Sequence, residues 1–117
     1  MSCSPQNIFT IFLGNAKTMN LKALYSGNLN PLDLTSCAEI DVSLPNADGT
    51  FLHLLLSLAE VVITSPAVLG QFTAPITSVQ SALLNLGELQ NFDVTFTISG
   101  NPMTVRYASA LSVFETD

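Results

Sequence analysis

Few side chains in these 117 residues have the type and spacing for covalent or metal chemistry. The chain has one histidine, His53, and two cysteines, Cys3 and Cys37. A nucleophile or general base works only beside partners that tune it. Along the chain the acids nearest His53 are Asp48 and Glu60, and His53 itself lies in an apolar run. That is the pattern of a structural or interface histidine. No Gly-x-Ser-x-Gly elbow or Gly-x-x-x-x-Gly-Lys phosphate loop occurs. One His and two distant Cys do not complete a zinc set. The two thiols either close a single bridge or stay free, and we read them as free thiols of a reducing compartment. Asn46 and Asp48, with Glu39 or Asp41, offer oxygen ligands of the kind calcium takes. Asn and Asp just before a glycine are also the ordinary residues of a β-turn, which is the reading adopted. Glu39, Asp41 and Asp93 alternate outward rather than facing one another as glycosidase carboxylates do. The expectation is a protein that is not an enzyme, with no catalytic residue, cofactor or metal.

The elements that would position these residues read as strands. Alternation is clearest near the C-terminus, where Phe92, Val94, Phe96 and Ile98 point one way and Asn91, Asp93, Thr95 and Thr97 the other. Ser99-Gly100-Asn101-Pro102 turns the chain, and Val105, Tyr107, Leu111 and Val113 line the return, so a β-hairpin is expected over about 90–114. Residues 39–44 alternate with Ile40, Val42 and Leu44 inward and end in a Pro-Asn-Ala-Asp-Gly-Thr turn, with 51–56 as the return strand. Further strands are expected at 8–13, 18–25, 61–64 and 71–76, the last with Phe72, Ala74 and Ile76 inward and Pro75 marking an edge. Residues 78–86 place Val79, Ala82, Leu83 and Leu86 at helical spacing after Ser78 as N-cap, with Gly87 as the stop. The result is one all-β domain over 1–117, an immunoglobulin-like β-sandwich of about seven to eight antiparallel strands with one short helical crossover. Residues 1–14 form an N-terminal arm or an edge strand.

Composition bears on partners. Only 10% of residues are charged, against roughly 25% in ordinary soluble domains. With 48% hydrophobic residues and a mean hydropathy of +0.45, part of the surface is expected to be hidden against neighbours. The three basic residues, Lys17, Lys22 and Arg106, are scattered and form no cluster, so no nucleic acid is expected as a partner. The longest apolar run, 51–63, is broken by His53, Ser57 and Glu60 and falls short of the roughly 20 residues of a membrane span. The N-terminus lacks the positive charge that opens a signal peptide. A soluble chain made in the cytoplasm, with no membrane partner, is expected.

The order of motifs resembles a family. Pro31-Leu32-Asp33-Leu34-Thr35, an alternating strand and the Pro45-Asn46-Ala47-Asp48-Gly49-Thr50 turn are similar to small immunoglobulin-like domains of bacteriophage tails and baseplates. Ile63-Thr64-Ser65-Pro66 followed by Gly70, and Gly87-Glu88-Leu89 leading to the turn at Gly100, fit the same pattern over about 18–115. Leu89 stands where that family usually has an aromatic, and the 45–49 turn carries one extra residue. The resemblance implies a virion structural protein of tail, neck, baseplate or fibre that binds other virion proteins as a homo-oligomer or multi-copy subunit. Capsid decoration and a carbohydrate-binding sandwich are the alternatives, although the chain has no Trp and only Tyr25 and Tyr107 to build a sugar platform.

Two stretches are the candidate protein interface. In 51–56 consecutive apolar residues place side chains on both faces of a strand, which nominates Phe51, Leu52, His53, Leu54 and Leu55. Cover from within the domain by the 78–86 segment is the competing reading. Ile8, Phe9, Ile11 and Phe12 form the second candidate, an arm able to pair with a neighbour.

Overall fold

Hydrophobic alternation sets most of the strands. The computed structural model describes residues 8–23 and 30–115. The described residues form eight strands, β1 (Phe9–Phe12), β2 (Lys17–Lys22), β3 (Cys37–Pro45), β4 (Phe51–Leu55), β5 (Val62–Ile63), β6 (Gln71–Ile76), β7 (Gly87–Ile98) and β8 (Asn101–Phe114). They form a five-stranded sheet in the order β1-β8-β7-β3-β4 and a three-stranded sheet in the order β2-β6-β5. The all-β expectation holds. Residues 24 and 25 of the expected 18–25 strand lie outside the described residues.

Both sheets contribute to one core. Ile40, Val42 and Leu44 of β3 and Phe92, Val94 and Phe96 of β7 are buried, as are Met19 and Leu21 of β2 and Phe72, Ala74 and Ile76 of β6. Phe72 and Phe96 meet edge-on from the two sheets with ring centroids 5.5 Å apart. Such a contact adds about 0.5–1.5 kcal/mol to the burial of the rings themselves.

The C-terminal hairpin turns more tightly than the sequence suggests. Ser99 (φ 52°) and Gly100 (φ 82°) alone make the loop, and Ile98 pairs directly with Asn101. Two successive positive φ values match the right-handed twist of the flanking strands. Asn101 and Pro102, expected in the turn, therefore begin β8. Further from the turn the register shifts between Gly87 and Phe92. The freed N–H groups are satisfied there: Leu89 donates to Ser112 Oγ (3.1 Å) and Ser109 to Asn91 Oδ1 (2.8 Å).

Three expectations are corrected. First, β1 runs parallel to β8, with Phe9 beside Leu111 and Phe12 beside Phe114, so the strands are not all antiparallel. No tight turn joins these two strands, and nothing local imposes the antiparallel direction. Second, the helix α1 spans only Ser78–Ser81 and is capped by Thr77 in a reciprocal pair with Gln80. Ser81 and Leu84 face inward, while Val79, Leu83 and Leu86 are exposed. After one turn the backbone bonds instead to the end of β3, through Ala47 N–H to Leu83 O (3.0 Å) and Asn85 N–H to Pro45 O (3.0 Å). So short a helix has little stability of its own to oppose those bonds. Third, Pro75 lies in β6, the middle strand of its sheet. β5 reaches only Thr73 and Phe72, so no strand stands beside Pro75 on that flank, and a missing N–H is tolerated.

The 31–35 motif is a structural staple. Leu32 and Leu34 are buried, and between them Asp33 Oδ1 accepts the Thr35 N–H (2.9 Å) and hydroxyl (2.6 Å). Backbone bonds run from Leu32 N–H to Ala23 O, from Leu34 N–H to Ala67 O and from Ala23 N–H to Gly70 O. Gly70 (φ +68°) sits in this knot, where a Cβ would stand 2.6 Å from Ala23 O and 2.8 Å from Leu32 O.

Gly70→Ala is therefore expected to lower stability by about 2–4 kcal/mol in urea denaturation, because strained backbone and fixed neighbours add. Acid should weaken the fold as well. The Thr35 hydroxyl and N–H hold the Asp33 carboxyl below its ordinary 3.8, and Thr50 does the same for Asp48. Burial pushes Glu39 up, but bonds from Ser57, Ile40 and Leu56 outweigh it and leave the carboxyl below 4.5. Depressed carboxyls stabilise the fold above their unfolded values and lose that contribution as pH falls through the folded ones. The urea midpoint should drop between about pH 6 and about pH 3, and Thr50→Val should show a smaller drop.

Candidate protein-binding edge

Among the described residues, strand β4 is the last strand of the larger sheet and pairs only with β3, from Asp41–Leu55 to Pro45–Phe51. Its side chains divide by face. Leu54 is fully buried and Leu52 packs half-buried against the core, whereas Phe51 is 57% exposed and His53 stands in solvent. Leu55 is half-buried.

The backbone divides as well. Leu55 donates its N–H to Glu60 Oε1 (3.3 Å), and its C=O accepts the Glu60 N–H (3.0 Å). A strand residue sends both groups to one side, and the side alternates along the chain. The groups of Leu55 point away from β3, so those of His53 and Phe51 do too. Pro45, opposite Phe51, fits this register because a residue without an N–H can occupy a pair that exchanges no hydrogen bonds. Among the described residues, no backbone bond outside the ladders reaches the outward groups of Phe51 or His53. Glu60 closes the edge at one end and the 46–50 turn closes it at the other, leaving two bare residues between.

Behind the edge lies a polar row that the spacing along the chain conceals. Register puts Ser43 directly opposite His53, with Asp41 two residues further along the same face. His53 Nδ1 lies 2.9 Å from Asp41 Oδ1 and 3.0 Å from Ser43 Oγ, which also reaches Asp41 Oδ1 at 3.3 Å. These are the residue types of a hydrolytic triad, but the geometry differs. A triad serine uses the ring nitrogen opposite the one that holds the acid. Here both partners meet Nδ1, which is not the triad arrangement, and the three form a cross-strand clasp that orients His53. The row continues through Asp93 to Arg106, whose Nε lies 3.0 Å from Asp93 Oδ1. Both side chains are well exposed, so that pair contributes little. A hairpin register counted outward from the 46–50 turn would have revealed the Ser43–His53 contact.

The second candidate stretch is corrected. Phe9 and Ile11 are buried core residues, Phe12 is half-buried with its ring 5.8 Å from that of Phe114, and Ile8 is half exposed. Pairing with β8 turns Phe9 and Ile11 into the core, so 9–12 is an integrated edge strand and not a free arm; residues 1–7 lie outside the described residues. Leu54 likewise leaves the candidate surface, because alternation turns it inward. The exposed Leu83 belongs near the retained part, since its backbone bonds to the turn that follows Pro45, opposite Phe51.

Other chemistry finds its donors engaged. Asp48 bonds Thr50, Glu39 bonds Ser57 and Asp41 bonds His53. Among the described residues no three His, Cys, Asp or Glu side chains gather as a metal set requires. Tyr107 stacks on Phe92 and donates its hydroxyl to Lys22 O (3.1 Å), so its ring is not a free sugar platform; Tyr25 lies outside the described residues. Burial pushes the Tyr107 hydroxyl far above its ordinary value. The Cys37 thiol is free, half-buried and likewise pushed up by burial.

The division of faces is tested by adjacent truncations. Leu54→Ala should cost about 2–5 kcal/mol in urea denaturation. His53→Ala, which removes an exposed clasp, should cost under about 1 kcal/mol. Equal losses would mean that the strand is not divided as described.

No protein-family model and no curated protein matches this chain. The functional reading rests on the geometry of the edge and the motifs around it.

Proposed function

We propose that this chain is a non-enzymatic structural domain that holds other protein chains through the open edge of β4, as a multi-copy component of a phage virion. The observation that carries the reading is the pair of outward backbone groups on Phe51 and His53 beside an exposed phenylalanine. Strand edges left open in this way accept another strand, and natural proteins usually block them with charge or proline. The β4 sequence Phe-Leu-His-Leu-Leu contains no such block. The low charge content agrees with a surface covered in an assembly.

The finer fold reading is an immunoglobulin-like sandwich. It is supported by two sheets sharing one core and by the Asp33-Leu34-Thr35 and Asp48-Gly49-Thr50 turns, each closed by an Asp–Thr bond. The virion assignment, in tail, neck, baseplate or fibre, rests on the resemblance of those motifs to phage immunoglobulin-like domains. Capsid decoration would use the same edge.

The test is incorporation into particles. Purified particles from a phage encoding this sequence should contain the chain in many copies. A Phe51→Asp variant with an unchanged melting temperature should be lost from them. Particles that lack the chain, or that take up the variant at the normal level, would overturn the proposal.

A further inference from the structure

Resting on the reading that β4 binds protein, we infer that the strand closing this edge is β4 of a second copy, antiparallel about a two-fold axis at Leu52. The bare edge consists of two alternate residues, 51 and 53, bounded by Glu60 at Leu55 and by the turn at Thr50. Set against itself in this register, Phe51 of one copy faces His53 of the other, and the converse pair forms by symmetry. Each pair exchanges two backbone bonds, so every bare group finds a partner. An isologous contact of this kind is closed and finite.

Both faces suit the same register. On the outer face each phenyl ring stands beside an imidazole, a favourable cross-strand pair. On the inner face Leu52 meets Leu52 on the axis. Charge permits the same pairing. A chain with nine acidic and three basic residues repels its own copy, so self-pairing needs a strip without carboxylates. β4 provides one, because it carries no Asp, Glu, Lys or Arg. Asp41, opposite Leu55 on β3, is held by His53, and the carboxyls at the two ends of the strip are engaged, Asp48 by Thr50 and Glu60 by the Leu55 N–H. At the ends, Glu60 of one copy faces Gly49 of the other, where the chain turns back toward β3 and no side chain projects.

In this register the two Leu52 residues form a pair without direct hydrogen bonds, with Cα atoms about 4.5 Å apart, inside the range a disulfide spans. Light scattering coupled to size exclusion should give twice the 12.5 kDa monomer mass, and Phe51→Asp should give the monomer, with the melt of wild type diluted until it too is monomeric. In a Cys3→Ser/Cys37→Ser background, Leu52→Cys should form a disulfide dimer on mild oxidation. Asn20→Cys, on edge strand β2 of the other sheet, should not. If Leu52→Cys does not fold, the two masses decide alone. A wild-type monomer up to about 1 mM, or a dimer that survives Phe51→Asp, overturns self-pairing. If that monomer still enters particles and Leu52→Cys cross-links there to a different protein, the binding-edge reading stands and only the partner is wrong. If β4 variants enter particles normally, both readings fail.

Discussion

Strand β3 is paired on both sides, to β7 and to β4, and the proposed binding edge depends on that double ladder. Ile40, Val42 and Leu44 anchor β3 in the core, while Glu39, Asp41 and Ser43 face outward. Among the described residues β4 has no other strand to define its place. Its register comes from the turn that Asp48 and Thr50 close and from Leu54 entering the core. Those two anchors determine that Phe51 and His53 face solvent and that their backbone groups point outward. A one-residue slip would exchange the faces, exposing Leu54 and burying His53, so the core enforces the geometry of the edge.

Much of this was legible from residues alone. Alternation over 39–44 and 92–98 identified β3 and β7 and their inward residues. What escaped was whatever depends on partners distant in sequence. The parallel pairing of β1 with β8 joins the two ends of the described chain, and no local pattern encodes it. The 78–86 segment has helical spacing, yet its backbone serves the end of β3, so the apolar positions of a longer helix become exposed ones. His53 looks isolated along the chain because its companions lie across a strand ladder. For 51–55 the sequence showed that too many residues were apolar for one face, but only sheet order shows that β4 lies at an edge.

An open, uncharged edge carries a risk of indiscriminate pairing. Here its length limits the risk. Glu60 occupies one end with both its backbone and its carboxylate, and the turn ends the strand at the other. Two residues offer too few bonds to hold a strand without help from side chains, so selectivity falls to Phe51 and His53. The Asp41–Ser43 clasp on Nδ1 holds the imidazole ready and leaves Nε2 free for a partner. The triad-like composition thus positions His53.

The central claim is that a strand covers the β4 edge in the assembled state, and residue-resolved amide hydrogen exchange tests it most directly. In the dilute free chain the amides of Phe51 and His53 should exchange fast, while those of Leu52 and Leu54, bonded to β3, exchange slowly. In the assembly all four should be slow. Amides of Phe51 and His53 that stay fast in the assembled state would contradict the account, because the edge would then be bare where it is said to bind.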